Sequence, residues 1–168
     1  ISENVLHVMD NPQDADARLE LALAATMAGI AFSNSMVGLV HALGHALGAL
    51  CHVPHGVCMN VFLPYVLEYN MEVNAEVVGE LLLPLAGAEV YAATPKPVRA
   101  ERALQRIRAL RDELHARVKL PRRLSETGKI NRDQLRQLAT MAMDEGPILY
   151  NPKEVDFDEA LALLERAW

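Results

Sequence analysis

No Asp, Glu, Lys or Arg occurs across residues 21–67. A stretch of that kind is either buried inside a protein or taken up by a membrane. A spanning helix needs roughly 20 predominantly apolar residues in a row. The first apolar run, residues 21–32, is stopped by Ser33-Asn34-Ser35. The second, residues 36–51, carries His41 and His45 before Val53-Pro54-His55-Gly56 breaks it. Neither is clean or long enough, so the segment reads as the buried centre of a soluble helical domain. With 168 residues, 51% of them apolar and 23% charged, the chain has the size and composition of one globular domain spanning residues 1–168.

The charges are unevenly placed. Residues 1–95 hold ten acids and a single base, Arg18, whereas residues 96–168 hold fifteen bases and twelve acids. A net charge of −6 argues against a nucleic-acid binder that works through overall charge. Cys51 and Cys58 are too few to staple a chain of this length and fit a reducing, cytoplasmic setting. The start, Ile1-Ser2-Glu3-Asn4, has no initiator Met and no signal-type pattern, so the chain reads as a piece of something longer.

Hydrophobic spacing predicts an all-α fold, a multi-helix bundle of about seven helices with no strand. Helices are expected over residues 14–31, starting at Asp14 or Asp16, and over residues 34–50, ended by Pro54. A third is expected over 56–71, interrupted at Pro64, and a fourth over 75–91, bent or divided at Pro84. Pro97 suits the first turn of a long helix through Val118. Residues 121–129 read as a loop and 145–155 as a connection. Asn131 with Gln134, and Asp156 with Glu159, offer capping boxes for the last two helices.

The segment 34–50 carries the chemistry. On a helical wheel one face bears Met36, Val37, Leu39, Val40, Leu43, Leu47 and Leu50, an ordinary core stripe. The other bears Asn34, Gly38, His41, His45 and Gly48, with no aliphatic side chain. Glycine inside a helix costs about 1 kcal/mol relative to alanine. Gly38, Gly44 and Gly48 therefore point to a helix that lets another backbone, a ligand or a cofactor come close. His55, held between Pro54 and Gly56, can be aimed back at that face. The spacing His-x3-His-x9-His suits a metal or catalytic site, since neutral imidazole is the commonest ligand for zinc, iron, copper and nickel. His52 is offset from the stripe and reads as surface or supporting.

Other chemistries are weaker matches. Cys51, His52, His55 and Cys58 fall close together, but not at the spacing of a zinc knuckle, and the cysteines read more simply as buried hydrophobes. A metalloprotease helix needs Glu directly after its first His, where this chain has Ala42. No nucleophile elbow or phosphate loop is present.

Several stretches together resemble the helical half of the iron-containing (group III) alcohol dehydrogenases. They are Ala31-Phe32-Ser33-Asn34, the run Gly38-Leu39-Val40-His41-Ala42-Leu43-Gly44-His45-Ala46-Leu47-Gly48, Pro54-His55-Gly56-Val57, Leu63-Pro64 and Asn70. Asp14-Ala15-Asp16-Ala17-Arg18, Asn151-Pro152 and Ala167-Trp168 extend the similarity over nearly the whole chain. The resemblance implies a C-terminal, all-helical metal-binding domain whose N-terminal nucleotide-binding domain is absent from this chain. It further implies hydride transfer between a primary alcohol or aldehyde and NAD or NADP, with Fe(II), zinc or another divalent ion as cofactor. By resemblance His41 and His55 are metal ligands, alongside an Asp and a His that would precede Ile1. His45 matches a non-ligand histidine beside nicotinamide and substrate, both catalytic and cofactor-binding, and Phe32 an aromatic lining the substrate pocket. The family pattern also implies a cytoplasmic homodimer or larger homo-oligomer, inactive when reduced to this domain. Two departures bear on chemistry. Ala46 stands where His-Pro is frequent, and Gly146-Pro147-Ile148-Leu149-Tyr150 stands where many members carry a Cys. The resemblance also implies an alternative, a metal-independent relative like the maleylacetate reductases.

A contrasting expectation is a free-standing binding module. Residues 96–136 hold thirteen Lys or Arg that could meet an acidic partner. Glu101, Asp112 and Glu113 are interspersed among them, so a solvated helix face is the simpler reading.

Overall fold

Nine α-helices and four short 3-10 helices form along the chain, with no β-strand. The structure is a computed structural model and describes residues 1–168. It divides into two compact units, Ile1–Met36 and Val37–Trp168.

The first unit holds α1 (Val5–Asp10) and α2 (Ala15–Ser35). Asp14 caps α2 by accepting from the Ala17 N–H at 3.0 Å, and it also meets His7 Nε2 at 2.8 Å. The Ala17 N–H, followed by His7, holds the Asp14 carboxyl below its ordinary value. α2 runs past the expected end at residue 31. The side chains of Ser33, Asn34 and Ser35 fold back onto the carbonyls of Gly29, Ile30 and Ala31, so they continue the helix instead of stopping it. Only Ala17 of α2 is buried, while Leu19, Met27 and Ile30 are exposed. The charge-free stretch is thus not all core. Apolar residues lie all round α2, so no single face of it can be turned inward.

The expected helix over residues 34–50 is divided. Met36 takes up φ 61, its N–H bonding the Phe32 carbonyl at 2.8 Å, and Gly38 is extended as the N-cap of α3 (Leu39–Cys51). Asn34 therefore belongs to α2 and not to the histidine stripe. Leu39, Leu43 and Leu47 of α3 are fully buried against Val61, Phe62 and Val66 of α4 (His55–Glu80). Burying a leucine of this kind contributes about 1.5–3 kcal/mol. α3 and α4 approach closely at Gly44, where an alanine methyl would overlap the end of the Met59 side chain and sit 3.3 Å from Cys58 Cβ.

α4 continues through Pro64 without interruption. A proline removes one backbone hydrogen bond, and the buried packing around Pro64 holds the helix across that gap. The kink falls at Asn74 instead, with φ −136 and ψ 28. Next come α5 (Leu82–Ala86) and α6 (Ala88–Ala93), divided at Gly87, which has φ 86, and not at Pro84. A 3-10 turn, Lys96–Val98, leads into α7 (Arg99–Val118), which buries Ala103, Leu104 and Ile107. The loop after α7 contains a 3-10 turn at Ser125–Thr127. Both expected capping boxes form. The first opens a 3-10 turn, Arg132–Gln134, ahead of α8 (Leu135–Met143), and the second opens α9 (Phe157–Arg166). No single helix is long and apolar enough to cross a membrane.

The connection before α9 winds one 3-10 segment, Gly146–Tyr150, and then presents Asn151. Its Oδ1 accepts from the Leu39 N–H at 3.3 Å and from Asn70 Nδ2 at 3.0 Å. Its Nδ2 donates to Asn70 Oδ1 at 2.8 Å and to the Lys153 carbonyl at 2.7 Å. Asn70 itself is buried within α4. Replacing Asn151 with Ala strands the Asn70 amide and the Leu39 N–H together. The expected cost is roughly 2–4 kcal/mol, read as a lower urea midpoint at unchanged slope. Asn70→Ala should be non-additive with it by about 1–2 kcal/mol in a double-mutant cycle.

Candidate active site

Three histidines are brought together by the start of α3 and the turn that follows its end. The N-terminus of α3 is fixed by Asn151, and His41 and His45 lie one turn apart on the same side. At the other end His52 adopts the left-handed conformation, φ 53, with its N–H bonded to the Gly48 carbonyl at 3.0 Å. Lys129 Nζ donates to the His52 carbonyl at 3.3 Å, and Cys58 Sγ to the Val53 carbonyl at 3.4 Å. The Val53 carbonyl lies over Gly48, 3.5 Å from where an alanine methyl would stand. The chain is thereby reversed, and His55 begins α4 with Pro54 as N-cap.

The ring centres of His41, His45 and His55 form a nearly equilateral triangle. The separations are 5.5 Å for 41–45, 5.4 Å for 41–55 and 5.6 Å for 45–55. His41 and His45 are half-buried and His55 is exposed, so the triangle opens to the surface. His45 is engaged by a residue that sequence reading passed over. Glu145 Oε2 lies 3.3 Å from His45 Nδ1. No spacing rule could have found Glu145, which stands 100 positions away in a stretch read as a plain connection. His52 and Phe32 are not members of the triangle's hydrogen bonding. His52 is spent on the turn, and Phe32 belongs to α2 in the first unit, where it is half exposed.

Burial, and then the neighbouring charges of His45 and His55, push the His41 ring below the usual value of 6.5. A neutral ring is the form that binds a metal. Two imidazoles that share one ion at the usual 2.0–2.1 Å have ring centres roughly 5 Å apart, a spacing that all three pairs approach equally. No group of three or more His, Cys, Asp or Glu within the chain is placed to hold a metal ion. By spacing alone, two of these imidazoles could act as a pair of donors to one ion. Cys51 and Cys58 are buried in the core, and burial pushes the Cys58 thiol up to about 11, away from the thiolate that zinc requires.

The fold is that of the all-helical C-terminal domain of iron-containing alcohol dehydrogenases. The profile of the Fe-containing alcohol dehydrogenase family, C-terminal, matches residues 1–168, and the chain belongs to that family. It is 32% identical over 170 residues to alcohol dehydrogenase 4 of Saccharomyces cerevisiae, covering 100% of this chain and 41% of that protein. It is 32% identical over 155 residues to lactaldehyde reductase of Escherichia coli, covering 92% of this chain and 39% of that one. The crystal structure of a 1,3-propanediol oxidoreductase superposes with a TM-score of 0.88 at 28% identity, over 99% of this chain and 42% of that chain. The chain thus spans about two fifths of the length of the relatives it matches.

The depressed His41 gives a pH signature. An unfolded chain takes the proton near pH 6.5, before folded His41 does, so the unfolded state binds more protons as pH falls. Stability is complete above that pH, declines as pH drops through it, and levels off once folded His41 is protonated too. In the metal-free chain the His41 ring should titrate below 6.5 by NMR. His41→Asn should flatten this part of the curve of urea midpoint against pH.

Proposed function

We propose that this chain is the metal-binding half of an NAD(P)-linked alcohol dehydrogenase or aldehyde reductase that acts on a small primary alcohol or its aldehyde. The observation that carries the reading is the convergence of His41, His45 and His55 in a chain of this family. Relatives named alcohol dehydrogenase and lactaldehyde reductase support the substrate class. His41 and His55, whose rings make no hydrogen bonds, would hold the divalent ion, Fe(II) or zinc. An Asp and a further His from another part of the parent protein would complete the set. NAD or NADP would be held mainly by a nucleotide-binding domain outside these residues, and Phe32 would line the substrate pocket. The parent enzyme is read as a cytoplasmic homo-oligomer.

When bound, the metal supplies Lewis acidity toward the substrate oxygen, and nicotinamide supplies or accepts the hydride. The chain's own residues set the geometry and handle the proton. A carboxylate only accepts hydrogen bonds, so the contact with Glu145 keeps the proton of neutral His45 on Nδ1. Nε2 is then the basic nitrogen, free to take a proton from the alcohol directly or through one intervening hydroxyl. In the reverse direction the same nitrogen returns it. The half-buried position of His41 and His45 limits water around the reacting group.

The test has two levels. The 168-residue chain alone should bind Zn(II) or Fe(II) no tighter than micromolar, and should not turn over aldehyde with NAD(P)H. Nanomolar affinity in this chain would overturn the two-ligand account. In the full-length parent enzyme, His41→Ala or His55→Ala should remove metal and cut kcat/KM by more than about 100-fold. His45→Ala should leave metal content unchanged and lower kcat by roughly 10²–10⁴-fold.

A further inference from the structure

The basic stretch is not a uniformly solvated face. Arg108, Arg111, Arg122 and Arg123 line one cleft of about 260 Å³, together with Tyr65 and Asp112. Most arginines around it are spoken for. Arg108 pairs with Glu68 at 2.9 Å, and Arg122 pairs with Asp112 at 2.7 Å and more loosely with Glu126 at 3.7 Å. Arg111 is different. It is 7% exposed, has no carboxylate partner, and spends one Nη on the carbonyls of Arg122 at 2.7 Å and Val61 at 3.4 Å. Arg123 has no ion pair either, although it is exposed.

The unmet hydrogen-bonding capacity falls in the same place. The buried side-chain nitrogens left without a partner are Nε of Arg111 and Nε of Arg122, and both side chains line this cleft. A buried guanidinium without a counter-charge is costly, and so is a buried donor without an acceptor. An oxyanion seated in the cleft supplies the counter-charge that Arg111 lacks. Arginine forks match phosphate oxygens in shape as well as charge.

We propose that the cleft between α4, α7 and the loop after α7 is a binding site for a phosphate-type dianion, with Arg111 and Arg122 as its floor and Arg123 as its rim. Arg111 and Arg123 are the guanidinium groups of the cleft without an ion pair, since Asp112 on the same wall is paired with Arg122, and two such charges match a group that carries about −1.5 to −2 at neutral pH. The cleft volume lies below the roughly 300–1,000 Å³ of cofactor pockets, which suits free phosphate or the phosphate monoester of a small metabolite. The site is separate from the histidines. Tyr65 follows His55 by ten residues on α4, a distance of about 15 Å at 1.5 Å per residue. It does not depend on the proposed dehydrogenase activity, and the test reads no turnover.

The Nε–Hε signals of arginine side chains report the site directly by NMR. Inorganic phosphate, added to the 168-residue chain at constant ionic strength, should shift the Arg111 and Arg122 signals saturably in the millimolar range or below. Sulfate should shift the same signals and chloride should not. Arg123→Ala removes an exposed side chain, leaving the fold intact, and should weaken phosphate binding about tenfold, the worth of one charged hydrogen bond. Glycerol 3-phosphate separates the sources. Tighter binding of the ester assigns the cleft to a phosphorylated metabolite, and equal binding assigns it to the free anion. Shifts that fail to saturate by about 50 mM, that chloride reproduces, or that Arg123→Ala leaves unchanged overturn the proposal.

Discussion

The side-chain amide of Asn151 ties the first turn of α3 to α4 and to the connection that precedes α9. The opening N–H groups of any helix need acceptors from outside it. The residue at the N-cap of α3 is Gly38, which has no side chain to offer. The cap therefore comes from 112 positions further along, and it comes from a residue already locked by a reciprocal pair with Asn70. The consequence is rotational. Each helical residue advances by about 100°, so a slip of one position would carry His41 away and present Val40 or Ala42 in its place. Holding the Leu39 N–H to a fixed acceptor removes that freedom. The polar pair Asn70–Asn151 thus acts on the site through helix azimuth, although it touches none of the three imidazoles.

Within the triangle the same placement favours the neutral form of His41. Two protonated rings 5.5 Å apart would repel by about 3 kcal/mol at an effective dielectric constant of 20, before solvent screening reduces it. His41 faces both of the other rings and is itself half-buried, and burial is the larger influence on it. The fold thereby keeps a lone pair available on the ring that the family pattern assigns to metal. His45 has a different environment, because Glu145 Oε2 lies beside its Nδ1. Similar residues at similar distances are differentiated by one carboxylate contact and by depth.

Local signals were legible in the sequence, and contacts between distant segments were not. The capping boxes at Asn131/Gln134 and Asp156/Glu159 form because all their partners lie within three residues. The all-helical class followed from spacing alone, and the histidine stripe from four-residue steps. The break between the first two long helices was expected a few residues before Met36, because φ 61 at a non-glycine residue has no compositional marker and Ser33-Asn34-Ser35 looked like a stop. Pro64 misled in the opposite direction, since a proline's cost depends on the packing around it. Glu145 and the role of Asn151 were invisible for a simpler reason. Each acts across about a hundred residues, and only the folded chain places it beside its partner.

The three glycines around the histidines show how a correct sequence signal can have more than one use. Their shared helix suggested room for a backbone, a ligand or a cofactor. Gly44 makes room for the Met59 and Cys58 side chains of α4, and Gly38 lets Asn151 come within reach of the helix start. Gly48 lies beneath the Val53 carbonyl in the turn that redirects His55. The spaces at Gly38 and Gly44 are filled by the protein itself. The glycines therefore build the site indirectly. Gly44 and Gly38 let α4 and the loop carrying Asn151 close upon α3, whereas the space over Gly48 would also admit a methyl group, and the open side of the triangle is left for whatever the histidines bind.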